Sequence, residues 1–191
     1  MRRTNAARRA GAGILVLAAL AATPATARAD DPDAQRSIAS AQEFLRQVLP
    51  GNRYASSVMT GIVARAEREG LRGRFEPLPV IFNADPVAGC RSFLLADIAE
   101  TDFEVRDPAT GDVVVSALAD LLEDDVVGSP DGFDFGSIRD LRHSGSRVML
   151  RFAGGRDDAV VYLEGEEVAG RVHAAFDYLR RRCDASASTG F

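Results

Sequence analysis

Two histidines, two cysteines and an uneven spread of arginine and carboxylate are the parts of this 191-residue chain that could do chemistry. His143 is followed by Ser144, and Asp140 lies three positions earlier, so all the residue types of a serine-hydrolase triad are present. Residues this close in sequence rarely reach triad geometry. Ser144-Gly145 reads as a tight turn instead, and no G-x-S-x-G elbow occurs in the chain. No catalytic residue is therefore assigned. His173, between Val172 and Ala174, reads as a boundary residue of an amphipathic helix.

Cys90 and Cys183 are the only cysteines, and 92 residues separate them. An even count in a chain with a secretory leader reads as a disulfide. Closing a loop of that length stabilises by about 4–5 kcal/mol in the chain-entropy model. A reactive thiol would want a C-x-x-C pair or a lone cysteine beside a base, and a zinc site would want close pairwise spacing. Neither pattern occurs, so no metal ligand and no cofactor is assigned.

Carboxylates crowd the middle of the chain. Between Leu95 and Phe135 twelve of them face a single Arg106, a net charge of −11. Asp124, Asp125, Asp131 and Asp134 have the chemistry to collect calcium, but they miss the D-x-D-x-D-G register of a calcium loop. Paired carboxylates could also hydrolyse glycosides, against which stands the absence of tryptophan for sugar stacking. A secreted hydrolase using acidic residues, with or without calcium, is thus the alternative functional reading.

The opposite charge gathers further on. From Gly136 to Arg156, five arginines (Arg139, Arg142, Arg147, Arg151 and Arg156) face only Asp140, a net +4. If two strands pair across Ser144-Gly145-Ser146, Arg147 and Arg151 share a solvent face, with Arg139 or Arg142 beside them. Guanidinium forks at that spacing suit an anionic small ligand or an acidic envelope partner. The competing explanation is that these arginines neutralise the chain's own acidic segment. Every basic residue in the chain is arginine, which GC-rich coding also explains.

The elements that must position these residues follow from pattern. Residues 1–29 read as a signal peptide: Arg2, Arg3, Arg8 and Arg9, then an apolar run from Gly11 to Ala22, then Ala27-Arg28-Ala29 before Asp30. Twelve apolar residues span about 18 Å as a helix, too short to anchor in a bilayer. The expected mature chain, 30–191, is a single domain with 18 basic and 28 acidic residues, a net −10. Such a chain lacks the basic footprint that nucleic acid requires. A periplasmic or secreted monomer with no transmembrane segment is expected.

Within that domain, one helix is predicted to start near Asp31-Pro32-Asp33 and stop at Pro50-Gly51, and a second to run from Ser56-Ser57 to Gly70. Short strands are predicted at Leu78–Asn83, Arg91–Leu95 and Asp102–Arg106. The last of these turns through Asp107–Asp112 into Val113–Val115. Ala117–Leu122 reads as a turn or two of helix, and Gly128–Gly132 as a loop. The C-terminal third predicts a hairpin, Ile138–Arg142 with Arg147–Phe152, a third strand at Ala159–Leu163, and an amphipathic helix over Glu166–Arg182. The fold class is α+β: an antiparallel sheet or small open barrel with two N-terminal helices and a C-terminal packing helix.

Three antiparallel strands followed by a helix look like the close of a pleckstrin-homology-like domain. The segment Phe176-Asp177-Tyr178-Leu179-Arg180 through Cys183-Asp184 to Thr189-Gly190-Phe191 resembles an uncharacterised group of secreted proteobacterial proteins. That resemblance implies a shared fold and compartment and no particular activity. With no catalytic constellation and with segregated charge, the leading functional reading is a non-enzymatic envelope protein that binds a partner or a small anionic ligand.

Overall fold

Strict alternation in two neighbouring strands sets the frame of the molecule. In β12 (Arg147–Phe152) Val148 and Leu150 are fully buried while Arg147 and Arg151 are exposed; in β13 (Ala159–Tyr162) Ala159 and Val161 are fully buried. β11 (Ile138–Ser144) pairs antiparallel with β12 through a turn in which Gly145 takes a φ of 56°. The buried face is covered by α3 (Glu166–Cys183), whose Val172, Phe176 and Leu179 recur at helical spacing. Glu166 and Glu167 open that helix and Arg180, Arg181 and Arg182 close it, both favourable to its dipole.

The structure is a computed structural model, and it describes residues 37–117, 126–129, 131–153 and 158–184. β1 (Arg53–Ala55) extends the sheet from β13 to β3 (Val80–Asn83), and β6 (Leu95–Asp97) and β9 (Val126–Gly128) complete it. The order is β11-β12-β13-β1-β3-β6-β9, with every pairing antiparallel. β4 (Pro86–Ala88), β5 (Arg91–Ser92) and β10 (Phe133–Asp134) form a small second sheet; β2 (Arg72–Glu76), β7 (Asp102–Arg106) and β8 (Val113–Ala117) form a third. With α1 (Ile38–Val48) and α2 (Ser57–Arg68), the fold is α+β, and its sheets are open rather than closed into a barrel.

A cluster of phenylalanines marks the centre of the core. Phe133 stacks edge-on against Phe135, Phe152 and Phe176, with ring centroids 5.3, 5.2 and 6.2 Å apart. The disulfide Cys90–Cys183, with Cα atoms 5.6 Å apart, ties the end of α3 to the β4–β5 loop beside this cluster. Cys90 also accepts a backbone hydrogen bond from Phe135 N at 3.1 Å. Disulfides persist in oxidising compartments. Among the described residues no helix is long and apolar enough to cross a membrane.

Several sequence expectations are corrected in detail. The first helix begins at Ile38, where Ser37 and Ser40 exchange capping hydrogen bonds at 3.0 and 2.8 Å; the predicted start signal Asp31-Pro32-Asp33 lies outside the described residues. Arg91–Leu95 splits between β5 and β6, since Phe93 bonds back to Asp85 O rather than continuing the strand. Gly128 closes β9 instead of opening a loop. At φ 138° its hypothetical Cβ would lie 1.8 Å from Leu94 O, so only glycine fits this crossing. β1 and β2 were not anticipated. The predicted signal peptide, residues 118–122, Gly154-Gly155, Arg156 and the Thr189-Gly190-Phe191 end lie outside the described residues.

Candidate functional site

The four arginines singled out from sequence all fall on or beside one hairpin, but their neighbours differ. On the face opposite α3, Asp140 sits across from Arg151, Arg142 across from Met149, and Ser144 across from Arg147. Arg142 is held by Asp140 at 2.8 Å and Arg151 by Asp158 at 2.7 Å. These partners belong to the same region, so the acidic segment at 95–135 does not supply them. Arg139 lies at the irregularity between Ile138 and Asp140, where its carbonyl accepts from Arg180. The guanidiniums of Arg139 and Arg147 make no hydrogen bond or ion pair among the described residues.

The register then places Arg147 in a row that the sequence did not reveal. Tyr162 of β13 is opposite Arg147 on one side and opposite Arg53 of β1 on the other. Arg53 donates to Leu78 O at 2.5 Å. Its neighbour Tyr54 points to the buried face, where desolvation holds the phenol well above its ordinary ionisation range.

Beside this row opens a cleft of about 520 Å³ between the sheet, α2 and β2. Met59 and Val63 of α2, Phe75 of β2 and Leu78 line its apolar part; Arg53, Thr60, Glu67, Arg74, Glu76 and Tyr162 supply its polar groups. α2 is set there by Ser56, whose hydroxyl caps Met59 N at 3.3 Å, and by Thr60, whose hydroxyl donates to Asp158 O at 2.7 Å. An apolar concavity with a few polar groups at its margin is the usual form of a small-molecule site. A smaller groove of about 230 Å³ runs between α1 and α3, where Arg171 lies 5.0 Å over the Phe44 ring.

The remaining chemistry-bearing residues do not converge. His143 shares the α3 face of β11, its Nε2 2.8 Å from Gly145 O and its ring 6.0 Å from that of His173. Ser144 and Asp140 lie on the other face, so strand geometry itself separates the three triad residue types. Asp134 caps Gly136 N at 2.9 Å, while Asp124 and Asp125 lie outside the described residues. Among the described residues no three His, Cys, Asp or Glu side chains gather to hold a metal ion.

Arg53, Thr60 and Tyr162 were missed because their convergence depends on β1 pairing with β13 more than a hundred residues later. A three-residue strand is too short to show periodicity. No protein-family model, curated protein or solved structure matches the chain.

Proposed function

We propose that this protein is a non-enzymatic envelope protein that binds a small amphipathic anion, with its apolar body in the α2–β2 cleft. Its acidic end is met by Arg53 and Arg147 on either side of Tyr162. The carrying observation is the cleft itself: a concavity of about 520 Å³ with Met59, Val63, Phe75 and Leu78 in its apolar part and Arg53 and Tyr162 among its polar groups, Arg147 standing next to Tyr162 in the sheet register. The Cys90–Cys183 bond, the leader-like N-terminus and the resemblance of the closing segment to secreted proteobacterial proteins support a periplasmic or secreted setting. The working form is a monomer. A protein partner in the envelope would use the same arginine face.

Native mass spectrometry of the protein recovered from the periplasm tests this reading. A co-purifying small molecule that is lost from the R53E/R147E variant supports it. An adduct-free parent that also fails to take up fatty-acid and aryl-carboxylate probes would reject it. Both substitutions are at exposed positions, so the variant should fold, and its far-ultraviolet spectrum checks this.

A further inference from the structure

The third sheet carries a charge pattern along one face. β2 and β7 align Arg72 with Arg106, Arg74 with Glu104, and Glu76 with Asp102. The intervening positions, Gly73, Phe75, Phe103 and Val105, turn the other way toward α2. There the Phe75 and Phe103 rings sit 4.7 Å apart, and a Cβ on Gly73 would meet Phe103 at 2.8 Å. The charged face therefore runs from two cations through an ion pair to two acids. Arg74 is bound to Glu104 at 2.6 Å, and its contacts there run through Nε and Nη2, leaving Nη1. The guanidiniums of Arg72 and Arg106 make no hydrogen bond or ion pair among the described residues, although the two residues face each other directly.

Like charges directly opposite on paired strands destabilise a sheet. Here the two guanidiniums and Arg74 also surround a concavity of about 230 Å³, which Glu104 and Gly73 complete. We propose that Arg72, Arg74 and Arg106 form a binding site for a phosphate dianion, free or as the terminal group of a phosphomonoester. A tetrahedral dianion accepts from several guanidinium N–H groups at once and relieves the repulsion between Arg72 and Arg106. The acidic end at Glu76 and Asp102 confines the positive potential to one end of the strand pair, which favours a compact anion over an extended anionic surface. Arg106 is the one cation within the most acidic stretch of the chain, and the fold carries it to the two arginines of β2. The site shares Gly73 and Arg74 with the rim of the α2–β2 cleft, but Arg72 and Arg106 do not line that cleft, so the two can be disabled separately.

Inorganic phosphate titrated into the full chain by calorimetry tests the site, with R72Q/R106Q as the disabling variant and R65Q, on α2, as the control. Saturable, salt-sensitive binding that weakens about tenfold or more in R72Q/R106Q and persists in R65Q is the expected result. Vesicles of phosphatidylcholine with phosphatidic acid form a second arm. Binding there that also requires Arg72 and Arg106, with no response to free phosphate, assigns the phosphomonoester to a lipid headgroup and supports the site. The parent failing to bind either probe overturns the proposal, as does binding that R72Q/R106Q leaves unchanged. R72Q/R106Q should unfold at least as high as the parent in phosphate-free buffer, which separates lost binding from lost fold.

Discussion

The β11–β12–β13 sheet segment and the β2–β7–β8 sheet are both three antiparallel strands served by one helix, yet they handle the same residue types in opposite ways. Val148 and Val161 of the first are fully buried, whereas Val113, Val114 and Val115 of the second are 43, 63 and 54 % exposed. Arg142 and Arg151 of the first are held by Asp140 and Asp158; in the second, Arg74 pairs with Glu104 but Arg72 and Arg106 confront each other. The first segment is built to be stable. The second retains an unfavourable pairing and exposed apolar surface that no described residue satisfies, which is the usual mark of a surface shaped for something else.

Breaking the first region should cost most. C90S/C183S is expected to lose about 4–5 kcal/mol, since the bond restrains a long loop in the unfolded chain; equilibrium denaturation in urea measures it. F176A should lose about 3–5 kcal/mol by opening a cavity against Phe133 and Phe135. V114A in β8 should stay within about 0.5 kcal/mol of the parent in the same experiment, because its side chain is already largely in water. Equal losses for F176A and V114A would erase the contrast between the regions.

Changes of charge should sharpen the contrast with smaller effects. R106E replaces a repulsive cross-strand pair by an attractive one and is expected to stabilise by about 0.2–1 kcal/mol, visible as a raised thermal midpoint. D158N breaks a satisfied pair with Arg151 and should destabilise by no more than about 1 kcal/mol, given the exposure of the arginine. The two substitutions thus move stability in opposite directions.

The smallest effect lies on α1. Hydrogen bonds from Arg46 and then Gln47 hold the Glu43 carboxylate at about 2, below its ordinary 4.5. Its folded value is depressed, so its contribution is present above about 4.5 and fades as pH falls through 2. Nuclear magnetic resonance titration should find that low midpoint, and R46Q should raise it.

Readable from sequence was whatever depended on neighbours along the chain. Helix α3 showed its stripe and its end charges within 18 residues. The β7–β8 hairpin declared itself through Asp107–Asp112, where Asp107 caps Ala109 N at 2.7 Å and Gly111 takes a positive φ. β2 escaped notice because Arg72-Gly73-Arg74 has no apolar residue on either side of the alternation, so its inward face shows only at Phe75. Arg147 was singled out, but its neighbours Tyr162 and Arg53 were not, since they come from strands on either side of a non-local pairing.

By itself, then, the sequence determined the α+β class, the closing hairpin and helix, and the pairing of its only two cysteines. These rest on 3.6- and 2-residue periods, local turn chemistry and the absence of any other thiol. Tertiary structure alone decided which charges meet. It set Arg106 of the acidic stretch against Arg72, and Arg53 against Tyr162, through strand registers between segments far apart in the chain. Register is a property of how buried faces fit together, so a polar residue's partners are fixed by apolar packing on the opposite side of its strand.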